Sequence, residues 1–244
     1  MVYSDSHCHL ERYQPELLAE TLQQARNKSI DFIVSQGMSL ESSVDTTHLA
    51  QSHQGVYAAV GIHPWNAVLP TKEVQQQLRQ LAGQEKVVAI GEIGLDYARN
   101  PDTKEIQKEL LKYELSLARE TGLPANIHCR EAYQDMMDIL REEIGSGLKG
   151  IIHGFTGNPS ILRDWIELDF YVSIGRRIVT SDEISSLEEA ICEIPLNRLL
   201  TETDANPTDV IQVVQKIALI RRTSAEQISS TATANLRRLH EIDQ

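Results

Sequence analysis

The sequence predicts an α/β fold, a (β/α)8 TIM barrel with an extra C-terminal helix, on three observations. Short apolar runs typical of buried strands alternate eight times with amphipathic helical stretches. The 244 residues match the usual length of this fold. No linker or low-complexity segment divides the chain, so we predict one domain over residues 1–244. A doubly wound open sheet is the alternative, but it usually has a Gly-rich turn after the first strand, where this chain has His-Cys-His.

The predicted elements follow each other along the whole sequence. Strands are predicted at residues 2–9, 31–36, 56–63, 87–92, 124–128, 150–153, 170–174 and 199–204. Helices are predicted at residues 16–28, 39–53, 71–81, 103–120, 133–143, 161–168, 182 or 185 to 193, 209–221 and 225–242. The run at 87–92 is almost wholly apolar, which is typical of a parallel strand covered on both faces.

Composition limits the class of protein. The chain is 41% hydrophobic and 24% charged, as in globular domains. No apolar run approaches the roughly 20 residues of a membrane helix, and the start of the sequence lacks a basic region followed by a hydrophobic stretch. Three cysteines without paired spacing argue against a disulfide framework. We therefore expect a cytoplasmic protein without a membrane partner.

The acidic balance limits how the chain could meet nucleic acid. A net charge of −12 should repel polyanions, which weighs against a protein that coats long stretches of nucleic acid. An enzyme that holds one or two phosphates through metal ions stays compatible with this charge. Residues 223–240 faintly suggest a helix-turn-helix, but they lack a basic face, so we interpret them as an outer barrel helix.

Ionisable side chains recur at the C-terminal ends of the predicted strands, the end of a barrel that carries the active site. The set consists of His7, His9, His63, Glu92, His128, His153 and Asp204. His7 and His9 are separated by one residue on a strand, so they point to one face and can bind one ion. Each residue alone has an ordinary structural explanation. Together they indicate metal binding, because burying this many polar groups without partners would cost a few kcal/mol each.

The size of the donor set predicts more than one metal. A tetrahedral catalytic ion needs about three protein ligands, and this set exceeds that number. We therefore predict two divalent metal ions per subunit, with Glu92 as the natural bridge between them. Mixed imidazole and carboxylate ligands leave zinc, manganese, magnesium, nickel and iron as candidates.

Six segments of the chain resemble, in order, the signatures of TatD-type metal-dependent deoxyribonucleases. They are DSHCHL at residues 5–10, GIHP at 61–64, GEIGLD at 91–96, IHCR at 127–130, HGFTG at 153–157 and ETDA at 202–205. The resemblance implies a two-metal barrel hydrolase, in many cases a 3′-exonuclease acting on DNA. It implies one metal held by His7, His9, Glu92 and Asp204, a second held by Glu92, His128 and His153, and His63 near the substrate phosphate.

Some positions depart from the family pattern. Asn206 stands before Pro207 where members commonly continue directly with proline. Leu111 and Glu114 stand where phenylalanine and glutamine are usual. These departures leave the metal ligands in place and concern the contacts to substrate.

Three further residues are candidates for binding substrate. Arg130 should lean towards the rim, where it could fork onto a phosphate or pair with Glu131 or Asp135. Tyr97 and Arg99 lie in the loop predicted after Glu92, where a base could stack or a phosphate could be held.

These observations predict a phosphodiesterase, specifically a TatD-like deoxyribonuclease of the 3′-exonuclease type. In this hypothesis a metal-bridging hydroxide attacks phosphorus, and Asp204 orients the nucleophile and takes its proton. DNA ends would be transient partners, and a monomer is compatible with the sequence. The alternative is a barrel amidohydrolase acting on a small amide, lactone or ester, although many of these have a modified lysine where this chain has Glu92. A scaffold with structural metals is a third interpretation, disfavoured because such sites are closed and usually cysteine-rich.

Overall fold

Eight strands form a single sheet in a computed structural model that describes residues 1–143 and 147–242. The strands are β1 (Tyr3–Cys8), β2 (Ile30–Gln36), β3 (Val56–Val60), β4 (Val87–Asp96), β5 (Ala125–Arg130), β6 (Gly150–Ile152), β7 (Tyr171–Ile174) and β8 (Leu199–Thr201). Their order in the sheet is their order in the chain. The pairs β3–β4, β4–β5, β5–β6 and β7–β8 are parallel.

Helices separate the strands, so the fold is the predicted (β/α)8 barrel. They are α1 (Pro15–Asn27), α2 (Leu40–Ser52), α3 (Lys72–Ala82), α4 (Lys104–Thr121), α5 (Tyr133–Glu143), α6 (Pro159–Glu167), α7 (Arg177–Thr180), α8 (Ser185–Glu193), α9 (Val210–Arg221) and α10 (Ala225–Leu239). The helix predicted at 133–143 has the bounds of α5, and α10 is the predicted extra C-terminal helix. Within the described residues, no helix is long and apolar enough to cross a membrane.

The residues group into two compact units. The first unit comprises Met1–Val34 and the chain from His153 onward, and the second comprises Ser35–Ile152. The single domain expected for residues 1–244 stays a prediction.

In the first unit, the end of β1 lies beside the end of β8. The Thr201 hydroxyl donates to the Ser4 carbonyl at 3.0 Å, and the Asp204 N–H donates to the His7 carbonyl at 2.8 Å. Large buried side chains fill the core of this unit, with the Trp165 ring edge-on to Phe170 at 5.6 Å. The pairing brings His7 and Asp204 together although 197 positions separate them in sequence.

In the second unit, β3 to β6 are neighbouring strands, and α2 to α5 precede them in turn. The hydroxyl of Ser39 accepts the Ser42 N–H and completes a capping box at the start of α2. Gly94 has a φ of +146°, and a Cβ there would lie 1.9 Å from the His128 carbonyl oxygen. Only glycine therefore allows β4 and β5 to approach this closely.

Several strand ends differ from the predictions in a way that moves site residues. The strand predicted at 87–92 continues to Asp96, so the prediction that Glu92 ends it is wrong. The apolar run continues past Gly91 and Gly94, because Ile93 and Leu95 are fully buried. In contrast, four strands are shorter than predicted, so residues 9, 63, 153 and 204 lie beyond the strands, which end at Cys8, Val60, Ile152 and Thr201.

Candidate metal centre

His7, His9 and Asp204 form a cluster in the first unit. Asp204 Oδ1 lies 3.3 Å from His9 Nε2 and 3.8 Å from His7 Nε2. One ligand atom of each residue lies within 4.8 Å of the other two. Both histidines are buried, whereas the Asp204 side chain is 56% exposed. The cluster therefore faces solvent on the Asp204 side.

Asp204 points at the histidines because of its backbone conformation. Its φ of 52° lies in the left-handed region, which aspartate adopts more readily than most residues. Thr203 turns the other way, with its hydroxyl donating to Asp5 Oδ2 at 2.6 Å. Asp5 Oδ1 also accepts the backbone N–H groups of His7 and Thr203, each at 3.1 Å. Buried Asp5 thus ties the two ends of the cluster to each other.

The carboxyl group of Asp204 is ionised in this environment. Desolvation alone would raise its pKa. The hydrogen bond with His9 and the nearby charges of His7 and His153 have the larger combined effect and hold the pKa below its usual range. Asp204 is therefore available at neutral pH as an anionic ligand.

His153 belongs to the same unit and lies against His7. Their rings stack with centroids 3.8 Å apart and 12° between the planes. His153 Nδ1 lies 3.3 Å from Oε1 of the fully buried Glu202, which also accepts the Gly154 N–H at 2.7 Å. With Nδ1 donating to Glu202, Nε2 is the nitrogen through which His153 would ligate a cation.

His63, Glu92 and His128 form a cluster in the second unit. Glu92 Oε1 lies 3.0 Å from His128 Nδ1 and 3.3 Å from His63 Nε2, and one ligand atom of each residue lies within 4.8 Å of the others. The opposite nitrogen of His128, Nε2, lies 3.1 Å from Asp96 Oδ2. Because an ionised carboxylate only accepts hydrogen bonds, Asp96 places the His128 proton on Nε2 and leaves Nδ1 as the donor atom for a metal.

His63 has a different arrangement. Its Nδ1 accepts the backbone N–H of Trp65 at 3.1 Å, so the neutral ring has its proton on Nε2. A ring in this tautomer donates a hydrogen bond from Nε2. His63 is therefore better suited to bind an anionic group than to ligate a cation.

Three of the histidines have a carboxylate oxygen close to one ring nitrogen, a feature that was not predicted from the sequence. Asp96 Oδ2 lies 3.1 Å from His128 Nε2, and Glu202 Oε1 lies 3.3 Å from His153 Nδ1. Glu11 Oε1 lies 3.4 Å from His9 Nδ1. Histidines that ligate metals usually donate their other ring nitrogen to such a group. Asp96 and Glu202 lie inside the segments quoted above, but reading β4 as ending at Glu92 hid the position of Asp96.

The predicted substrate contacts take up different positions in the second unit. The Tyr97 hydroxyl donates to Asp135 at 2.6 Å, and Lys104 Nζ lies over the Tyr97 ring at 4.4 Å. Asp135 pairs with Lys108 at 2.8 Å, which disfavours its suggested pairing with Arg130, an exposed residue. The Arg99 guanidinium lies 4.0 Å from the centre of the Trp65 ring. Trp65 is a site residue that the sequence analysis did not single out.

The donor sets fit divalent cations. Both units combine imidazole nitrogens with carboxylate oxygens, from His7, His9 and Asp204 in the first and from His128 and Glu92 in the second, which is the ligand chemistry of zinc, manganese, nickel and iron. Asp96 and Glu202 lie within hydrogen-bond distance of one ring nitrogen of His128 and of His153, which fixes the orientation of both rings.

A (β/α)8 barrel with histidine and carboxylate clusters at its strand ends defines the class of metal-dependent barrel hydrolases. Comparison with known families gives the narrower assignment. The family model described as TatD related DNase matches residues 4–241. The chain belongs to this family of metal-dependent hydrolases.

Individual relatives cover nearly the whole chain. The chain is 35% identical to the metal-dependent hydrolase YabD of Bacillus subtilis, over 98% of this chain and 99% of that protein. It is 31% identical to a protein of Enterobacter lignolyticus named 3′-5′ ssDNA/RNA exonuclease TatD, over 83% and 85% of the two chains. The crystal structure of YJJV, a TatD homologue from Escherichia coli K12, has a TM-score of 0.88 at 27% identity, over 99% and 98% of the two chains.

Proposed function

We propose that this protein is a two-metal phosphodiesterase, a TatD-like deoxyribonuclease that removes nucleotides from the 3′ ends of DNA. The observation that carries the proposal is the set of three histidines in which one ring nitrogen lies within 3.4 Å of a carboxylate oxygen, the arrangement usual for histidines that ligate metals. Family membership and the exonuclease name of one relative support a nucleic-acid substrate. Three free cysteines support a reducing, cytoplasmic location.

The ligand sets of the proposal follow from the family resemblance and the barrel fold. In such barrels the carboxyl ends of all strands face the same end. One cation would be held by His7, His9, Glu92 and Asp204, and the other by Glu92, His128 and His153. Two divalent cations there would supply a water acidified towards neutrality and positive charge for the phosphate oxygens.

The side chains have separate roles in this proposal. Asp204, ionised and half exposed, orients the attacking water and takes its proton. His63 donates from Nε2 to a phosphate oxygen. Arg99, Arg130 and Tyr97 lie in the second unit and contact the rest of the strand.

Substitution of the two central carboxylates tests the catalytic roles. Glu92→Gln and Asp204→Asn keep side-chain size and remove the negative charge that binds cations. Each should lower metal-dependent turnover of a 3′-labelled oligonucleotide by at least about 1,000-fold, a loss of roughly 4 kcal/mol of transition-state stabilisation. Circular dichroism should show an unchanged fold.

The matched control is Asp138→Asn, an exposed carboxylate on α5. Near-normal turnover in either site variant would contradict the assigned roles.

A separate experiment, a panel of substrates with manganese, magnesium or zinc, tests the class of reaction. Hydrolysis of cyclic amides without cleavage of 5′- or 3′-labelled DNA would replace the nuclease with the amidohydrolase alternative.

A further inference from the structure

Trp65 links an exposed arginine to the cluster of the second unit. Its ring centre lies 4.7 Å from that of His63 and 6.4 Å from that of His128. The Arg99 guanidinium carbon lies 4.0 Å from the same ring. One aromatic side chain therefore separates Arg99 from the residues that surround Glu92.

The position of the Trp65 ring is fixed by hydrogen bonds. Its indole N–H donates to Asp96 Oδ2 at 2.7 Å, the oxygen that also holds His128. Its backbone carbonyl accepts the Asn100 side-chain N–H at 3.1 Å. A half-buried tryptophan held at both its backbone and its ring nitrogen gives a rigid surface.

Arg99 is held at its backbone while its charge stays available. Its N–H donates to Asp96 Oδ1 at 3.0 Å, and the Ala98 N–H donates to the same oxygen at 3.0 Å. Both Asp96 oxygens are therefore engaged, and no carboxylate in the described ranges forms an ion pair with the Arg99 guanidinium. Stacking on an aromatic face leaves the in-plane N–H groups of an arginine free to form a fork.

We propose that Arg99, whose guanidinium lies over the Trp65 ring, binds the oxygens of a second phosphate of a nucleic-acid strand, beyond the phosphate at the metal centre. A planar guanidinium fork matches the geometry of a phosphate and binds it through charge-assisted hydrogen bonds. Trp65 is the positioning residue, because it sets the plane of the fork. The inference rests on the proposed function and adds a requirement to it: the ligand is a strand with more than one phosphate.

The test is the affinity of metal-free protein for a fluorescently labelled eight-residue oligothymidylate, measured by anisotropy at several salt concentrations. Arg99→Met should raise the Kd about 10-fold, the effect of losing a hydrogen bond to a charged group. It should also reduce the slope of log affinity against log salt by about 0.7, since one phosphate contact is lost. Arg99→Lys should keep the slope and show a smaller loss of affinity.

Trp65→Phe tests the positioning role. It should raise the Kd by a few fold while leaving the salt slope unchanged, because the charge is still present. Intrinsic fluorescence gives a second readout, since the other tryptophan, Trp165, is buried against Phe170. Oligothymidylate should change the emission of the unmodified protein and leave that of Trp65→Phe unchanged.

Arg79→Met is the matched control, because Arg79 is half exposed on α3 and pairs with Glu120. If Arg99→Met has the same Kd and salt slope as Arg79→Met, the inference is wrong and the proposed function stands. If the unmodified protein neither binds the oligonucleotide nor cleaves any phosphodiester with metal, the proposed function falls and the inference falls with it.

Discussion

Asp96 is a buried carboxylate that accepts several hydrogen bonds. It accepts the indole N–H of Trp65, Nε2 of His128 and two backbone N–H groups of its own loop. Desolvation would raise its pKa, but these hydrogen bonds hold the pKa below its usual range. A permanently ionised Asp96 sets the tautomer of His128 and the position of Trp65 together.

The pKa of Glu114 is shifted in the opposite direction to that of Asp96. Glu114 is fully buried on α4, where Oε1 accepts the Ile62 N–H at 2.7 Å and Oε2 has no hydrogen-bond partner among the described residues. Burial raises its pKa well above the usual 4.5, and the hydrogen bond from Ile62 only partly opposes this. The folded state keeps the proton where the unfolded state releases it, so this group lowers stability as the pH rises above 4.5 towards the folded pKa.

Glu114→Gln should therefore stabilise the protein at neutral pH. Glutamine keeps an acceptor for Ile62 and cannot ionise. The gain in unfolding free energy should grow by up to about 1.4 kcal/mol per pH unit between the unfolded and the folded pKa. Denaturant titrations from pH 4 to 8 measure it, with Glu109→Gln on the exposed side of α4 as the control. A difference that does not vary with pH would contradict the buried, protonated state.

Candidate site residues could be predicted from the sequence where their spacing, or their position after an apolar run, marked them. Strand alternation predicted that His7 and His9 point to one face, and the two lie near each other although His9 follows the end of β1. His63, His128 and His153 were predicted from the ends of apolar runs. Glu11 and Trp65 gave no such signal. Their roles depend on loop conformations that bring them to a histidine, and those conformations follow from tertiary contacts.

At the scale of elements, the ends of helices depend on single backbone conformations. Gly122 ends α4 in the left-handed region with a φ of 73°, and a Cβ there would meet nothing within 4 Å. Gly83 ends α3 with a φ of −88°, which any residue adopts. The two glycines therefore end similar helices for different reasons.

Gly122→Ala should destabilise the protein by about 1 kcal/mol, because alanine is strained in the left-handed region. Gly83→Ala should be neutral or slightly stabilising, since its backbone needs no change. Urea denaturation of both variants gives the comparison. Equal stabilities would mean that the conformation of Gly122 does not determine the cost.

The order and type of elements were predictable, whereas the strand ends at the site were less so. Alternation of apolar runs with amphipathic stretches is a strong local signal, and α5 has its predicted bounds. In the sequence alone, Gly91 and Gly94 of β4 are typical of a loop. They lie in a strand because Gly94 packs against the His128 carbonyl, a contact between residues 34 positions apart.

At the scale of the whole molecule, stability and cation binding should be coupled. The candidate ligands come from sequence positions between 7 and 204, so they converge only when the chain is folded. The net charge of −12 adds a general repulsion that bound cations reduce.

Loading the protein with manganese should therefore raise its Tm. Saturation at about 100 times the Kd corresponds to roughly 2.7 kcal/mol, or about 5–10 °C for a chain of this size. Calorimetry in manganese and in a chelator measures the shift, with Asp204→Asn as the variant in which it should shrink. Identical Tm values in both conditions would contradict cation binding by the folded state.

The left-handed backbone at Asp204 also limits how this protein can evolve. Asparagine and glycine adopt that conformation with little strain, and single-base changes of an aspartate codon reach both. Each keeps the loop and loses the anionic ligand. If Asp204 has the role proposed above, either change would remove that role while the backbone conformation is kept, which is a route from an enzyme to a folded protein that can acquire another role.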